Sequence, residues 1–348
     1  MGRSTPHGGP GHRGGHIVIV SRRDTLAIGL AGIASASVAR AAPASRALIV
    51  STWDFGAAAN AAAFARFKAG GTLIDAVEAG AQVPEADVTN HSVGFGGYPD
   101  RDGHVTLDAI IMDDQGHVGA VAALEDVLHP ISVARRVMEK TPHTMLVGEG
   151  ARQFAVAEGF ERTKLLTPEA EAAWRDWLKT AKYQPVANIE NQRGSALDHD
   201  TIGILACGPD GRLAGACTTS GMAFKLRGRV GDSPQAGCGL MVEPGVGAAT
   251  ATGVGEEVTR IAGAARITSS MRMGMDPQAA CREAVQHIAK LRGEAVRDAQ
   301  VAFLAIDAKG RVGAFAHLPG FTYAVTDTTG RTSIHAAQSL KGPAGAKN

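Results

Sequence analysis

The sequence predicts an α+β fold in which antiparallel sheets are covered by helices. Three pairs of short apolar segments are joined by turns rich in Asp, Gly and Pro, as in β-hairpins, and stretches of helical periodicity lie between the pairs. The chain has 348 residues, of which 45% are hydrophobic and 20% are charged, a composition typical of a globular protein with a buried core. Its net charge of +1 gives no electrostatic argument for nucleic acid or an anionic membrane surface as a partner.

The N-terminal segment, residues 1–41, has the order of a secretory signal. The pair Arg22–Arg23 precedes a moderately apolar run over 26–39, and small residues close the segment at Ala39-Arg40-Ala41. The paired arginine favours twin-arginine export and hence a periplasmic or secreted protein. Because the apolar run is too short to span a bilayer, we expect no membrane segment in the mature protein. The alternative is an amphipathic N-terminal helix.

The elements before residue 162 follow from periodicity and turn signals. Apolar residues at helical spacing in "GTLIDAVEAGAQVPE" predict a helix that ends at Pro84. Alternation from Val105 to Ile111, followed by the turn "DDQGH" and a second apolar segment, predicts a hairpin. The remaining elements of this half are a first strand over 47–50 and helices over 57–68, 131–140 and 149–158.

The segment 162–198 has the least core-like composition, with Trp174 and Trp177 on a predicted helix and a linker-like end, "ENQRGSALD". Beyond it, "TIGILACG" and "LAGACTTSG" flank a Pro-Asp-Gly turn and predict a second hairpin. The later elements are helices over about 255–273 and 276–292, a third hairpin in "VAFLAIDAKGRVGAFA" and a last strand near 321–326. The hairpins on the two sides of residue 200 resemble each other, which indicates one sheet system interrupted by the linker.

Cysteine and histidine give no sign of a metal site. The four cysteines, Cys207, Cys217, Cys238 and Cys281, allow three full disulfide pairings, among which the sequence does not choose. Cys207 lies in an apolar strand pattern, where a small buried side chain is expected. No Cys/His cluster has the spacing of a zinc site, and no HExxH motif occurs. We therefore expect no metal and no other cofactor.

The stretch "DHDTIG", Asp198 to Gly203, places the hydroxyl of Thr201 between a carboxylate and an apolar strand. A threonine hydroxyl is a poor nucleophile unless a base lies beside it. If the chain were cut before Thr201, the new α-amino group, which titrates at about 8 in small peptides, could accept the hydroxyl proton. The same hydroxyl could attack the preceding carbonyl group and so cause the cut. The alternative is a loop ending in a strand whose first residue is threonine.

Five blocks carry a family resemblance: "STWDF" and "SVGFGGYPDRDGHVTLDAIIM" in the first half, and "HDTIG", "TTSGMAFKLRGRVGDSPQAGCG" and "GAATATGVGEEVTR" in the second. In this order they resemble the glycosylasparaginases, a family of N-terminal nucleophile hydrolases. The resemblance implies a four-layer αββα sandwich. It also implies one domain made of an α chain, 42–200, with a linker over about 162–200, and a β chain, 201–348, with two such protomers forming a dimer.

The resemblance assigns the processing site and the nucleophile. Self-cleavage would occur between Asp200 and Thr201, with His199 and Asp200 shaping the bond that is cut. Thr201 would be the nucleophile of both processing and hydrolysis. Thr219 would form a hydrogen bond near the Thr201 amine or hydroxyl, and Ser92 would belong to the same network.

The resemblance also assigns the groups that bind substrate. Arg229 would bind the free α-carboxylate, for which a planar guanidinium offers two hydrogen bonds, and Asp232 would bind the α-amino group. An ordinary surface salt bridge between this pair is the alternative. The remaining assignments are an oxyanion hole at Thr252 and Gly253, a backbone carbonyl of Gly255 for the amino group, and Trp53 at the carbohydrate side of the entrance, although Trp53 could equally be a core residue.

These roles imply an exported amidohydrolase that cuts the amide between asparagine and N-acetylglucosamine in free glycosylasparagine, through an acyl-Thr201 ester. Asp-Thr-Ile-Gly at the nucleophile favours this branch over plant-type asparaginases and isoaspartyl peptidases, which typically show Gly-Thr-Val-Gly. L-Asparaginase or β-aspartyl peptidase activity is the first alternative, and a non-catalytic exported protein that binds aspartyl derivatives is the second. Tyr98 and the linker sequence depart from the family pattern and bear on the choice of leaving group.

Overall fold

A computed structural model describes residues 47–181 and 201–342. The predicted signal segment, the C-terminal part of the predicted linker, and the junction residues His199 and Asp200 lie outside the described residues. Trp174 and Trp177 lie on a helix, as predicted, which spans Pro168–Thr180 and begins with the Thr167 side chain accepting a hydrogen bond from the Ala170 N–H.

The first sheet has eight strands, and the strand that begins after Thr201 lies near its centre. From one edge to the other the strands are β12 (Thr332–Ala336), β11 (Thr322–Thr326), β1 (Leu48–Thr52), β5 (Ile202–Cys207), β6 (Leu213–Thr219), β2 (Leu107–Asp113), β3 (Val118–Leu124) and β4 (Met145–Val147). Strand β5 pairs antiparallel with β1 on one side and with β6 on the other. The segments before and after residue 201 therefore share one continuous sheet.

The second sheet has five strands. They are, in order, β13 (Gln338–Ser339), β10 (Val312–Ala316), β9 (Val301–Asp307), β8 (Gly247–Gly253) and β7 (Leu240–Glu243). The expectation of antiparallel sheets is confirmed for most pairs but wrong at one edge of each sheet, where β4 pairs parallel with β3 and β13 pairs parallel with β10. Both edge strands are only two or three residues long, too short to show a period in the sequence.

Helices cover the outer face of each sheet and give the sandwich four layers. Those packed on the first sheet are α1 (Gly56–Lys68), α2 (Leu73–Ala86), α3 (Pro130–Lys140) and α4 (Gly148–Ala157). The linker helix Pro168–Thr180 is α5, and the second sheet is covered by α6 (Gly255–Arg260), α7 (Gly263–Arg272) and α8 (Pro277–Arg292). Three apolar cores separate the layers: helices against the first sheet, sheet against sheet, and second sheet against helices. The α+β class is confirmed.

Strand β5 is buried on both faces, which explains its uniformly apolar sequence. Neighbouring side chains of a strand point to opposite faces. Ile204 accordingly belongs to the core under the helices, whereas Leu205 belongs to the core between the sheets. Ile111 and Ile110 in β2 divide in the same way.

Two helices differ from the predicted bounds. Helix α2 does not end at Pro84 but continues to Ala86, because a proline in the last turn removes only one helical hydrogen bond and the Asp87 N–H donates to the Pro84 carbonyl at 3.3 Å. The single helix predicted over 255–273 is broken into α6 and α7. At the break Ala262 has φ +48°, and the first N–H groups of α7 donate to the carbonyls of Gly237 and Cys238, so that α7 starts from that loop.

The four cysteines all lie among the described residues, and each is a buried free thiol. Burial raises the pKa of Cys207 to about 11 and that of Cys217 to about 12, so these thiols are not nucleophiles near neutral pH. Within 47–181 and 201–342 no helix is both long enough and apolar enough to cross a membrane.

Gly119 tests how closely α3 packs on the first sheet. A Cβ at Gly119 would come within 2.0 Å of the carbonyl oxygen of Ala134 in α3. We expect Gly119→Ala to lower the free energy of unfolding by about 1–3 kcal/mol, because relieving the overlap requires a backbone shift. The matched control is Gly150→Ala in α4, where a Cβ meets nothing within 4 Å. This substitution should raise the free energy of unfolding by about 0.5–1 kcal/mol. Urea unfolding of both variants measures the difference, and an unchanged Gly119→Ala would contradict the packing.

Candidate active site

The ends of several strands meet at a small cleft. Its lining consists of Thr201, Thr219, Gly221, Met222, Arg229, Gly231, Asp232, Ser233 and Gly253. Five of these residues were assigned to the site from the sequence, although they are spread over more than fifty positions. The fold therefore brings one hydroxyl at the start of β5 together with a guanidinium, a carboxylate and backbone groups.

Thr201 lines this cleft and is buried, with 7% of its surface exposed. The Thr52 hydroxyl donates a hydrogen bond to the Thr201 carbonyl oxygen at 2.7 Å and accepts one from the Gly203 N–H at 3.0 Å. Thr52 is fully buried at the end of β1. It thus fixes the backbone on both sides of Ile202 and with it the position of the Thr201 side chain. Sequence reasoning missed Thr52, although it stands directly before Trp53 in "STWDF".

Thr219 lies at the end of β6, and Thr201 is one position beyond the pair formed by Ile202 and Thr218. The Thr219 hydroxyl donates to the Ser92 carbonyl oxygen at 3.1 Å and accepts from the Gly221 N–H at 2.9 Å. The structure thus brings Ser92 and Thr219 into one network, through the Ser92 carbonyl and not its hydroxyl. Among the described residues, the Thr219 side chain forms hydrogen bonds with Ser92 and Gly221 and none with Thr201.

Arg229 faces the cleft with one edge of its guanidinium already paired. Its Nε and Nη2 donate to the two carboxylate oxygens of Glu256 at 2.8 and 2.9 Å. The partner is not Asp232, so the alternative of a simple pair between Arg229 and Asp232 is wrong. Nη1 lies toward the glycines of the cleft, 3.3 Å from where a Cβ of Gly221 would be and 3.0 Å from that of Gly231. This remaining edge is the one that can bind a second carboxylate.

Asp232 is a buried carboxylate, and its Oδ2 forms no hydrogen bond with any described residue. Burial raises the pKa of Asp232 to about 6, and the positive charge of Arg229 opposes this rise. Gly255, at the start of α6, makes room for it, because a Cβ there would come within 2.4 Å of Oδ1. An unsatisfied buried carboxylate in a cleft is costly for the fold and well suited to bind a cation.

Thr252 and Trp53 are linked across the two sheets. The Trp53 indole Nε1 donates to the Thr252 hydroxyl at 3.0 Å. Trp53 has φ +64°, an unusual conformation for a bulky residue, and its ring lies edge-on against Phe321 at 5.1 Å between centroids. Gly253 has φ +100°, and a Cβ there would come within 2.2 Å of the Gln300 carbonyl oxygen, so only glycine fits at this end of β8.

Tyr98 belongs to a stack of rings that joins α5 to the loop after β6. Tyr98 stacks on His91 with centroids 4.8 Å apart and lies 5.5 Å from Phe224, whose other neighbour is Trp177 at 4.8 Å. Phe224 lies two residues beyond Met222, which lines the cleft. Tyr98, which departs from the family pattern, thus belongs to a packed aromatic cluster near the cleft.

The chemistry available is that of a hydroxyl, charged side chains and backbone dipoles. Among residues 47–181 and 201–342, no group of three His, Cys, Asp or Glu side chains is arranged to hold a metal ion. A ligand with an ammonium and a carboxylate would meet Asp232 and the free edge of Arg229. Its third functional group would then lie toward Thr201, which lines the same cleft.

The buried charge of Asp232 predicts a pH-dependent change in stability. The ordinary pKa of an aspartate is 3.8 and that of Asp232 in the fold is about 6, so ionisation destabilises the fold as the pH rises through this range. We expect Asp232→Asn to be more stable than the unmodified protein above pH about 6, by up to about 3 kcal/mol, and equally stable at a pH below the ordinary value. Urea unfolding at both pH values measures this, with exposed Asp298→Asn as control. A constant difference across the pH range would contradict the raised pKa.

Comparisons with known proteins identify the family of this chain. A family model described as asparaginase matches residues 25–335. The N(4)-(beta-N-acetylglucosaminyl)-L-asparaginase of Elizabethkingia miricola is 52% identical over 286 residues, which cover 81% of this chain and 82% of that protein. The protein of the same name from Rattus norvegicus is 38% identical over 267 residues, 70% of this chain and 77% of that protein. The resemblance found in the sequence is confirmed, and the chain belongs to the asparaginase family of N-terminal nucleophile hydrolases.

Proposed function

We propose that this protein hydrolyses the amide bond between N-acetylglucosamine and the side chain of free asparagine, releasing aspartate and a glycosylamine. The observation that carries the proposal is the single cleft that holds Thr201, Arg229 and Asp232 together. The names of the relatives at 52% and 38% identity support the same substrate. The charges of the cleft match a substrate whose α-amino and α-carboxyl groups are both free.

The proposed reaction begins with self-cleavage. The Thr201 hydroxyl attacks the carbonyl carbon of Asp200, the peptide nitrogen leaves as the Thr201 amine, and an ester forms. Water then hydrolyses the ester and leaves Thr201 as a new N-terminus. The Thr52 hydroxyl, held at 2.7 Å from the Thr201 carbonyl, supports this step because it keeps the residue in one orientation. His199 and Asp200 are proposed to shape the bond that breaks.

Hydrolysis of the substrate would use the freed amine as the base. It accepts the hydroxyl proton, and the Thr201 oxygen attacks the side-chain carbonyl carbon of the substrate. The glycosylamine leaves with a proton, and water hydrolyses the acyl-Thr201 ester to aspartate. Thr252 and Gly253 are proposed as the oxyanion hole, which stabilises charge that develops only in the transition state.

Substrate binding would be divided between opposite charges. Arg229 binds the α-carboxylate through its free edge, while Asp232 and the Gly255 carbonyl bind the α-ammonium group. Trp53, tied to Thr252, is proposed to line the carbohydrate side. Thr219 and the Ser92 carbonyl would keep the wall beside Thr201 in place. Together these contacts fix the amide carbon relative to one hydroxyl.

We further propose export through a twin-arginine signal over residues 1–41, a periplasmic or secreted location, and a dimer of two-chain protomers. The support for export is the order of charge, apolar run and small residues at the N-terminus. The dimer rests on family resemblance alone. Neither feature enters the chemistry of the cleft.

The proposed role of Thr201 is tested by whether the chain is cut directly before this residue. We expect purified protein to contain two polypeptides, of which the second begins Thr201-Ile202-Gly203, and Thr201→Ala to remain uncut and inactive because the attacking oxygen is gone. Intact mass and N-terminal sequencing measure the cut, with exposed Thr329→Ala as a control that should be cut and active. A single uncut chain that binds aspartate tightly would favour a non-catalytic binding protein instead.

The leaving group is tested by competition among substrates. We expect kcat/KM for aspartylglucosamine to exceed that for L-asparagine and for β-aspartyl dipeptides by at least about tenfold, a difference of about 1.4 kcal/mol in transition-state binding. All three share the aspartyl half, so the comparison isolates the leaving group. A clear preference for the dipeptides or for asparagine would replace the proposed substrate while keeping the same nucleophile.

A further inference from the structure

Lys225 is a completely buried lysine beside the cleft. It is 1% exposed, and its Nζ donates to the carbonyl oxygens of Ser220 at 2.8 Å and Thr106 at 3.4 Å. Among the described residues, Nζ forms no hydrogen bond with a carboxylate. Burial lowers the pKa of Lys225 to about 8 while Asp108 acts in the opposite direction, so the ammonium form predominates at neutral pH. A buried cation with only carbonyl partners is costly for the fold.

The position of this ammonium group relates it to the cleft. Gly221 lines the cleft with φ +76°, and a Cβ there would lie 2.7 Å from the Lys225 Nζ and 3.3 Å from the Arg229 Nη1. The two nitrogens are therefore at most about 6 Å apart, close enough for strong repulsion in a buried setting. Two cations converge on one glycine of the cleft wall.

Several carboxylates lie near this pair. Asp232 lines the cleft and attracts Arg229, whereas Asp108 and Asp100 attract Lys225 and do not line the cleft. Glu256 holds the other edge of Arg229. Asp108 is buried in β2, where one of its oxygens accepts the Ala123 N–H and the other has no hydrogen-bond partner among the described residues. An anion seated against Gly221 would thus meet the free edge of Arg229 and the field of Lys225 together.

The backbone around Lys225 is fixed, so its side chain is held in this position. The Phe224 N–H donates to the Pro99 carbonyl and the Lys225 carbonyl accepts from the Arg101 N–H, both at 2.9 Å. Phe224, directly before Lys225, adopts the left-handed backbone conformation with φ +56°. The two backbone hydrogen bonds attach this loop to the segment 99–101. The Lys225 Nζ then lies within hydrogen-bond distance of the Ser220 carbonyl, next to Gly221.

We propose that Lys225 is a second cation, beside Arg229, at the end of the cleft where the carboxylate of a ligand binds. It is a specificity-determining residue that favours ligands with a free α-carboxylate over the same ligands with an α-carboxamide. The inference rests on the proposed function, because it takes the aspartyl half of the substrate as the ligand. Lys225 acts through its charge and through the Ser220–Gly221 backbone that it holds, without contacting the reacting atoms.

The test compares two competitive inhibitors of aspartylglucosamine hydrolysis, L-aspartate and its α-carboxamide. In Lys225→Met we expect the inhibition constant of L-aspartate to rise about tenfold or more, from the loss of one buried charge, and that of the carboxamide to change less than about twofold. The matched control is Lys309→Met on an exposed turn, for which both constants should stay unchanged. The variants are compared as self-cleaved protein with unchanged thermal unfolding.

Each outcome decides a different question. If the unmodified protein neither hydrolyses aspartylglucosamine nor is inhibited by L-aspartate, the proposed function fails. If it does both but Lys225→Met leaves the L-aspartate constant unchanged, or weakens both inhibitors equally, the inference about Lys225 is overturned.

Should Lys225→Met fail to fold, Lys225→Gln decides. That variant keeps a side-chain donor for the Ser220 carbonyl and removes only the charge, so L-aspartate should bind several-fold more weakly relative to its carboxamide. An unchanged ratio of the two inhibition constants would overturn the inference.

Discussion

The site depends on how closely the two sheets approach at β5 and β8. A Cβ at Gly203 would lie 2.1 Å from the Thr250 hydroxyl oxygen, so glycine is required where these strands face each other. Thr201 is two residues before this contact, and Thr252 and Gly253 are two and three residues after it. The same close approach therefore sets the distance between the proposed nucleophile and the proposed oxyanion hole. The Thr52 hydroxyl forms hydrogen bonds with the Thr201 carbonyl and the Gly203 N–H, and so holds the β5 backbone in place beside β8.

The charges around the cleft are arranged at a cost to stability. Asp232 and Asp108 each keep a buried oxygen without a hydrogen-bond partner in the described ranges, and Lys225 is buried with carbonyl acceptors only. Such groups are tolerated because the surrounding sheets over-determine their positions. A zwitterionic ligand would place its ammonium group against Asp232 and its carboxylate beside Arg229 and Lys225, so part of the binding free energy is already present in the unliganded fold as unsatisfied charge.

Local patterns predict the elements that have a period, and tertiary contacts decide the rest. The hairpins around residue 200 and the helix over 276–292 follow from alternation and helical spacing, since each is long enough to repeat. The break at Ala262 does not, because it arises where α7 attaches to the loop at Gly237 and Cys238. Strands β7, β8 and β12 were not predicted; β12, an exposed edge strand, lacks the apolar alternation of a half-buried strand.

Within the site, the residue types were accessible from motifs, but their partners were not. "GRVGDSP" places Arg229 and Asp232 three residues apart, which suggests that they pair, yet Arg229 pairs with Glu256, 27 positions later. Thr52 and Lys225 stand inside blocks that already carry the family resemblance. Nothing local distinguishes a buried lysine that supports a cleft from an exposed one, because burial is a property of the assembled sheets.

The sheet order explains how a chain break before Thr201 could leave the site intact. Ser92, Thr52 and Trp53 come from the segment before the break, whereas Thr219, Arg229, Asp232 and Thr252 come from the segment after it. Strand β5 lies between β1 and β6, and β6 also pairs with β2, where Asp108 stands opposite Thr219. Both segments are thus held by hydrogen bonds along several strands, with apolar cores on each face. A cut at this one peptide bond would free an amine at the start of β5 while the pairing that positions it stays in place.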